Sequence, residues 1–226
     1  MSPENKSIVI AVDGTAASGK GTLAKKLAAH FGFAHLDSGA LYRLSAFSVL
    51  EAKGDPKNEV DALRGAQTID FNLAGDPRIR TDIVGQAASF VAAIPAVREA
   101  LFDFQKNFLD HPPGGAGAVM DGRDIGTVIC PTATAKLFVD ARPEVRARRR
   151  WAELKAMGIR RGEEDLLKEL NARDAADRSR PVSPLVQAPD AALLDTSDLG
   201  IDAAFAAALA LVSPKIERAL KDRHRS

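Results

Sequence analysis

The sequence predicts an α/β fold: three layers, with a parallel five-stranded sheet covered by helices on both faces. Three observations carry this. Apolar runs of strand length alternate with helical patterns along the 226 residues. Polar groups follow directly on the strand candidates, at the carboxyl ends where open parallel sheets bind ligands. A glycine-rich stretch joins the first strand to the first helix. The rhythm breaks once, in a small insertion, and two charged helices late in the chain frame a short helical lid.

Each element follows from its residues. Residues 7–12 hold the apolar run Ile8, Val9, Ile10, Ala11, Val12 and read as the first strand. Helical spacing follows over 23–31, then a short strand over 34–37. Over 39–52, Leu41, Leu44, Phe47, Val49 and Leu50 form an apolar stripe, which Gly54, Asp55 and Pro56 end. Residues 57–80 lose the pattern; 68–73 alternate like one exposed strand and 74–77 read as a turn. Helices are expected over 81–91 and 95–109, with Pro95 in a first turn where no N–H is needed. Strands follow over 118–120, ending at Asp121, and 135–139, ending at Asp140. A strongly basic helix over 143–157 breaks at Gly158, and a second charged helix covers 163–178. The last strand is 191–194 and the last helix 201–220. The expected organisation is a core of residues 1–56 and 112–226, a lid at about 150–165 within it, and an insertion with its helices over 57–111.

Composition narrows the function classes. The formal net charge is +1, with one Trp and one Tyr, which argues against a nucleic-acid partner. The single cysteine, Cys130, allows no internal disulfide and suits a reducing cytoplasm. No membrane partner is expected: residues 1–7 are polar and no apolar stretch approaches a membrane span. The four histidines lack the spacing of a structural metal site. The chain is expected to be monomeric, and the basic tail over 221–225 has no role assigned.

The stretch Gly14, Thr15, Ala16, Ala17, Ser18, Gly19, Lys20, Gly21, Thr22 carries the chemistry. Between strand and helix, glycines let backbone N–H groups turn inward around anionic oxygens, and the helix N-terminus adds positive potential. Lys20 reaches a β- or γ-phosphate as a point charge. Where the general phosphate loop has a hydroxyl directly after the lysine, this chain has Gly21, with Thr22 one place later. Mg²⁺ is therefore expected to be held loosely, through water, by Thr22 and acids elsewhere.

Asp37, Ser38, Gly39, Tyr42 and Arg43 open the helix after the second strand. Ser38 either caps that helix or serves a site, and Arg43 suits an acceptor phosphate. Asp121, Gly122, Arg123 and Asp124 follow a buried strand. Asp121 stands where a Walker-B acid organises Mg²⁺, Arg123 can clamp phosphate, and Asp124 can accept from an amino group on a base. Arg146, Arg149 and Arg150 share a helix face, read either as a lid closing over triphosphate or as a solvated face. Arg173, Asp177 and Arg180 also share a face, which by itself reads as an ordinary helix ion pair.

Taken together, these segments resemble the bacterial cytidylate kinases, within the nucleoside monophosphate kinase group of P-loop kinases. The matching pieces are Asp13 and Gly14 with Gly19 to Leu23, Asp37 to Gly39 with Tyr42 and Arg43, and Ile79, Arg80 and Thr81 with Ala87, Ala88 and Ser89. They continue with Pro95, Val97 and Arg98, the stretch from Asp121 to Val128, Arg146 with Arg149 and Arg150, and Arg173, Asp174, Asp177 and Arg180. The last are Asp190 and Ala191 with Asp195, Thr196 and Ser197. The resemblance implies transfer of the γ-phosphoryl of ATP to CMP or dCMP with Mg²⁺. It implies that Ser89, Arg98 and Asp124 read the cytosine edge, that Tyr42, Arg173 and Asp177 lie around the sugar, that Arg43, Arg123 and Arg180 clamp the acceptor phosphate, and that Ser38 belongs to the same CMP site. Lys20, Arg123 and Arg180 are the implied catalytic groups; the loop from Gly14 to Thr22 with Arg149 and Arg150 is the implied ATP site; and Asp121 with Thr22 is the implied metal site, through water.

Two departures stand out. Thr15 replaces the proline that the family often has, which predicts a slightly less rigid loop. The insertion is shorter than usual, with one strand where a small antiparallel sheet is expected. Alternatives are a phosphate-loop kinase for UMP, AMP or a small alcohol, and a non-catalytic nucleotide-binding module.

Overall fold

The computed structural model describes residues 7–223 and 225. Most of the polar N-terminal stretch and part of the basic tail lie outside the described residues. The elements, in order, are β1 (Val9–Gly14), α1 (Lys20–Phe31), β2 (Ala34–Asp37), α2 (Ser38–Glu51), α3 (Glu59–Gln67), α4 (Asp82–Val91) and α5 (Pro95–Asp110). There follow β3 (Ala118–Gly122), β4 (Ala135–Asp140), α6 (Pro143–Ala156), α7 (Glu163–Ser179), β5 (Ala192–Asp195) and α8 (Ile201–Arg223). The predicted five-stranded sheet is present, in the order β2-β3-β1-β4-β5. Central β1 pairs in parallel with β3 and β4, and β4 with β5. The chain leaves β1 toward one side of the sheet and later returns to the other, so the end of β1 is a topological switch point.

The chain divides into two compact units. The first holds the sheet, with residues up to Leu36 and from Leu109 onward. Its core is made by alternate residues of the strands: Ile8, Ile10 and Val12, Val119, Leu137 and Val139, and Leu194. Leu23, Leu27 and Ala28 of α1 and Ala208, Val212 and Ile216 of α8 cover that face. The intervening β1 residues Val9 and Ala11 are also buried, as a strand covered on both faces requires.

The second unit, Asp37–Phe108, is helical. Gly65 lets α3 close on α2; a Cβ there would lie 2.5 Å from a Val49 methyl and 2.6 Å from the Ser45 carbonyl oxygen. The strand expected over 68–73 is not formed. Asp70 instead accepts the Asn72 N–H at 2.9 Å and starts a 3₁₀ turn, Phe71–Gly75. That local bond competes with a sheet ladder, and no neighbouring strand exists among the described residues of this unit. Phe71, which alternation assigned to a strand face, stacks on Phe104 at 5.0 Å. Helix α3 forms where the sequence pattern predicts none; Asn58 caps it by accepting from the Val60 and Asp61 N–H groups. The remaining boundaries agree with the sequence reading to within about three residues.

Candidate active site around the phosphate loop

The loop is shaped by backbone it cannot avoid. Gly14 ends β1 beside β4, where a Cβ would fall 1.9 Å from the Val139 carbonyl oxygen. No other residue fits. Ala17 (φ 58°) and Gly19 (φ 89°) are both left-handed, which turns the chain tightly into the first turn of α1. That first turn carries no acidic side chain and no side-chain cap, so none of its own residues offsets the positive end of the helix. Lys20 opens α1 and folds back, its Nζ 3.4 Å from the Thr15 carbonyl oxygen.

The loop is braced from several directions. The Thr15 hydroxyl donates to Asp140 at 2.6 Å, and Ser18 Oγ donates to the Thr15 carbonyl at 3.0 Å. Thr15 is fully buried, so this bond supplies restraint where a proline ring would otherwise act. Thr196, just past β5, donates through Oγ1 to the Ser18 carbonyl at 3.0 Å. Arg149 in turn donates to Thr196 Oγ1 and to the Thr196 carbonyl, at 3.0 and 2.6 Å. The three arginines of one helix face thus have three different surroundings. Arg149 holds Thr196, Arg150 pairs with Glu153 at 2.9 Å, and Arg146 is buried against Asp174 at 2.7 Å.

Beside the loop, Asp121, next to last in β3, is almost fully buried. His35 Nε2 lies 2.8 Å from its Oδ1, and its Oδ2 faces the backbone of Gly21, where a Cβ would be at 3.5 Å. Asp13, the last residue before Gly14, accepts N–H bonds from Ile125 (2.8 Å) and Gly126 (2.7 Å). It fixes the turn that carries Arg123 and Asp124. Burial pushes the Asp13 carboxyl up to about 6, against the pull of those two N–H groups.

Arg123 Nε donates to Asp177 at 2.7 Å, and Arg180 Nη2 lies 3.6 Å from the other Asp177 oxygen. Burial raises the Asp177 pKa, but Arg123, Arg180 and Arg173 outweigh it and hold the carboxyl below its ordinary range. Arg123, Arg173 and Arg180 thus act on one carboxylate, while the buried Asp174 and Asp121 also act on Arg123 through their charges. Asp177 thus meets more than its own helix: Arg123 reaches it from the end of β3. Asp124, also buried, lies next to Arg123 at the head of a π-helical turn, Ile125–Ile129.

In the second unit, the cap of α2 is Asp37, which accepts from the Ala40 N–H at 3.1 Å, and not Ser38. Arg43 donates to the Ile79 carbonyl at 2.9 Å and lies against Gly85, where a Cβ would sit 3.2 Å from both terminal nitrogens. Ser89 donates to the Gly85 carbonyl at 3.2 Å. Arg98 is buried, 5.6 Å over the Tyr42 ring, and donates to the Ala92 carbonyl at 3.3 Å. Thus Arg43, Gly85 and Ser89 form one group here, and Tyr42 and Arg98 another. Sequence reasoning gave no role to His35, Asp140, Thr196 or Gly85. Their partners lie far along the chain, and only the position of Asp140 and Thr196 just at or past strand ends hinted at them.

Comparison with known proteins gives the family. The sequence profile of the cytidylate kinase family matches residues 10–213. The chain is 51% identical over 205 residues to a cytidylate kinase of Rhodopseudomonas palustris strain HaA2, covering 91% of this chain and 95% of that one. It is 49% identical over 212 residues to the cytidylate kinase of Rhodospirillum rubrum, covering 93% of this chain and all of that one. It is 52% identical to that of Azorhizobium caulinodans over 91% of this chain and 98% of the relative. Among solved structures, an uncharacterized protein from Eubacterium ventriosum shares the fold, with a TM-score of 0.51 at 13% identity, over 91% of this chain and 98% of that chain. A profile match spanning both units, and half-identity to relatives over nearly their whole length, establish that the chain belongs to the cytidylate kinase family.

Proposed function

We propose that this chain transfers the γ-phosphoryl of ATP to CMP or dCMP, giving ADP and CDP or dCDP. The observation that carries the reading is the pairing, in one family member, of a phosphate loop with Lys20 folded over it and a buried cluster of Arg123, Arg180 and Asp177. Phosphoryl transfer needs in-line positioning and neutralisation of roughly −4 on ATP and −2 on the acceptor, not a protein general base. In this account the loop from Gly14 to Thr22, with Arg149 and Arg150, binds ATP. Lys20, Arg123 and Arg180 offset the charge spread over the transferring group.

Ser38, Tyr42, Arg43, Ser89, Arg98, Arg173 and Asp177 complete the acceptor set with Arg123, Asp124 and Arg180. Cytosine offers an N4 donor, which Asp124 accepts, and N3 and O2 acceptors, which Arg98 meets. Uracil inverts the pattern at positions 3 and 4, so the carboxylate disfavours UMP. Residues 57–111 act as the acceptor-binding insertion, and residues near 150–165 close over ATP and exclude water.

Mg²⁺ fits the residues present. Asp121 offers a hard carboxylate beside the backbone of Gly21, with the Thr22 hydroxyl on the next residue. Among the described residues no group of three or more His, Cys, Asp or Glu forms an all-protein cage. That suits a cation that keeps its waters and takes ligands from substrate phosphates. When bound, Mg²⁺ supplies neutralisation of phosphate charge. Among the described residues no helix is long and apolar enough to cross a membrane, and we infer a monomer that acts in the cytoplasm on free nucleotides.

A coupled ADP-release assay with ATP and a panel of nucleoside monophosphates tests the reading. CMP and dCMP should turn over in preference to UMP and AMP, and Asp124→Asn should erode that preference about tenfold or more. Turnover with another acceptor and none with CMP or dCMP would sink the claim.

A further inference from the structure

Arg146 and Asp174 form an ion pair at 2.7 Å whose side chains are both 3% exposed. Neither has a role in the chemistry above. Their remaining bonds converge on one residue of the phosphate loop. Arg146 Nη1 donates to the Ala16 carbonyl at 3.1 Å, and Asp174 Oδ1 accepts the Ala16 N–H at 3.4 Å. Arg146 Nε is anchored separately, on the Ala141 carbonyl at 2.8 Å. Ala16 also packs with Ala147 of α6 and Leu170 of α7 in a small buried cluster. The next residue, Ala17, is left-handed without being glycine, a conformation that persists only where its surroundings enforce it. A buried ion pair is weak evidence of stabilisation, since apolar replacements often serve as well. This one grips one residue by both of its backbone polar groups, immediately before the strained residue.

We propose that Arg146 and Asp174 are positioning residues, a clamp that fixes Ala16 and so holds the phosphate loop in its ATP-binding shape before nucleotide arrives. Ala16 is then a handle, its N–H spent on Asp174 rather than on a phosphate. The clamp stands on α6 and α7, the two helices that flank residues 157–162, so the lid-bearing hairpin sets the geometry of the donor site. This rests on the assignment of the loop to ATP.

The test compares wild type with Asp174→Asn and with the double variant Arg146→Met/Asp174→Leu, in which both charges are removed together so that neither is left buried alone. ATP binding is titrated at equilibrium, KM is measured separately for ATP and CMP, folding is followed by melting, and amide exchange at Ala16 is measured in nucleotide-free wild type. The clamp predicts a protected Ala16 amide without ATP. It predicts an ATP affinity weakened about tenfold in the folded variants, with a distinctly smaller change in KM for CMP, since the Asp174 charge also acts on Arg123. Folded variants with wild-type ATP affinity, or with equal losses for ATP and CMP, overturn it. If neither variant folds, the wild-type exchange decides, and a rapidly exchanging Ala16 amide overturns it. Wild type that binds no ATP overturns the donor assignment itself, a failure distinct from wild type and variants binding alike.

Discussion

Arg43 and Gly85 show how a single missing Cβ can make room for a guanidinium. Glycine inside a helix is unfavourable by about 1 kcal/mol against alanine, yet Gly85 sits buried within α4. The reason is on its surface, where the Arg43 guanidinium occupies the space of a side chain. Gly85→Ala should therefore stabilise α4 by up to about 1 kcal/mol while displacing Arg43 and raising KM for CMP about threefold to tenfold. KM for ATP should not move. Melting and steady-state kinetics check both halves. Asp13 gives a pH signature. Its carboxyl is raised from 3.8 to about 6 by burial, so the fold holds its proton more tightly than the unfolded chain does. That contribution is fully present below pH 3.8 and is lost as pH rises through about 6. The loss amounts to about 3 kcal/mol. Denaturant midpoints should show wild type losing stability relative to Asp13→Asn between about pH 4 and about pH 7; parallel curves would refute it.

At the scale of elements, the strand–loop–helix around Lys20 was legible because its signal is contiguous: an apolar run, glycines, a lysine, then helical spacing. The sheet was legible for the same reason. Residues 57–80 were not, because their structure rests on local caps. Asn58 starts α3, Asp70 and Asp76 start successive 3₁₀ turns, and the Asp70 cap turns the alternating residues 68–73 away from a strand. The arginine-rich α6 was half legible. Spacing put Arg146, Arg149 and Arg150 on one face, but what distinguishes them lies elsewhere in the chain, in Asp174 and Thr196 and only locally in Glu153. The end of α6 was legible in Gly158. That residue takes φ 77° at the end of α6, and Ile159 N–H closes on the Leu154 carbonyl at 2.9 Å. Gly158→Ala should lower stability by about 1 kcal/mol, read from the denaturant midpoint.

At the scale of the molecule, the sheet-bearing unit carries the donor loop and the Arg123, Asp177 and Arg180 cluster, while the helical unit carries Arg43, Tyr42, Ser89 and Arg98. If the two substrates engage these units as proposed, their effects separate. Hydrogen exchange should slow over 57–111 when CMP binds and over 150–165 when ATP binds, and exchange unchanged in either segment would contradict the assignment. The most direct test of the central claim follows the phosphoryl group itself. With ATP labelled at the γ-phosphate, CMP and Mg²⁺, the account predicts that label appears as the β-phosphate of CDP, in step with ADP and only when CMP or dCMP is present. Label released as inorganic phosphate, or transferred to another acceptor while CMP stays unlabelled, would contradict it.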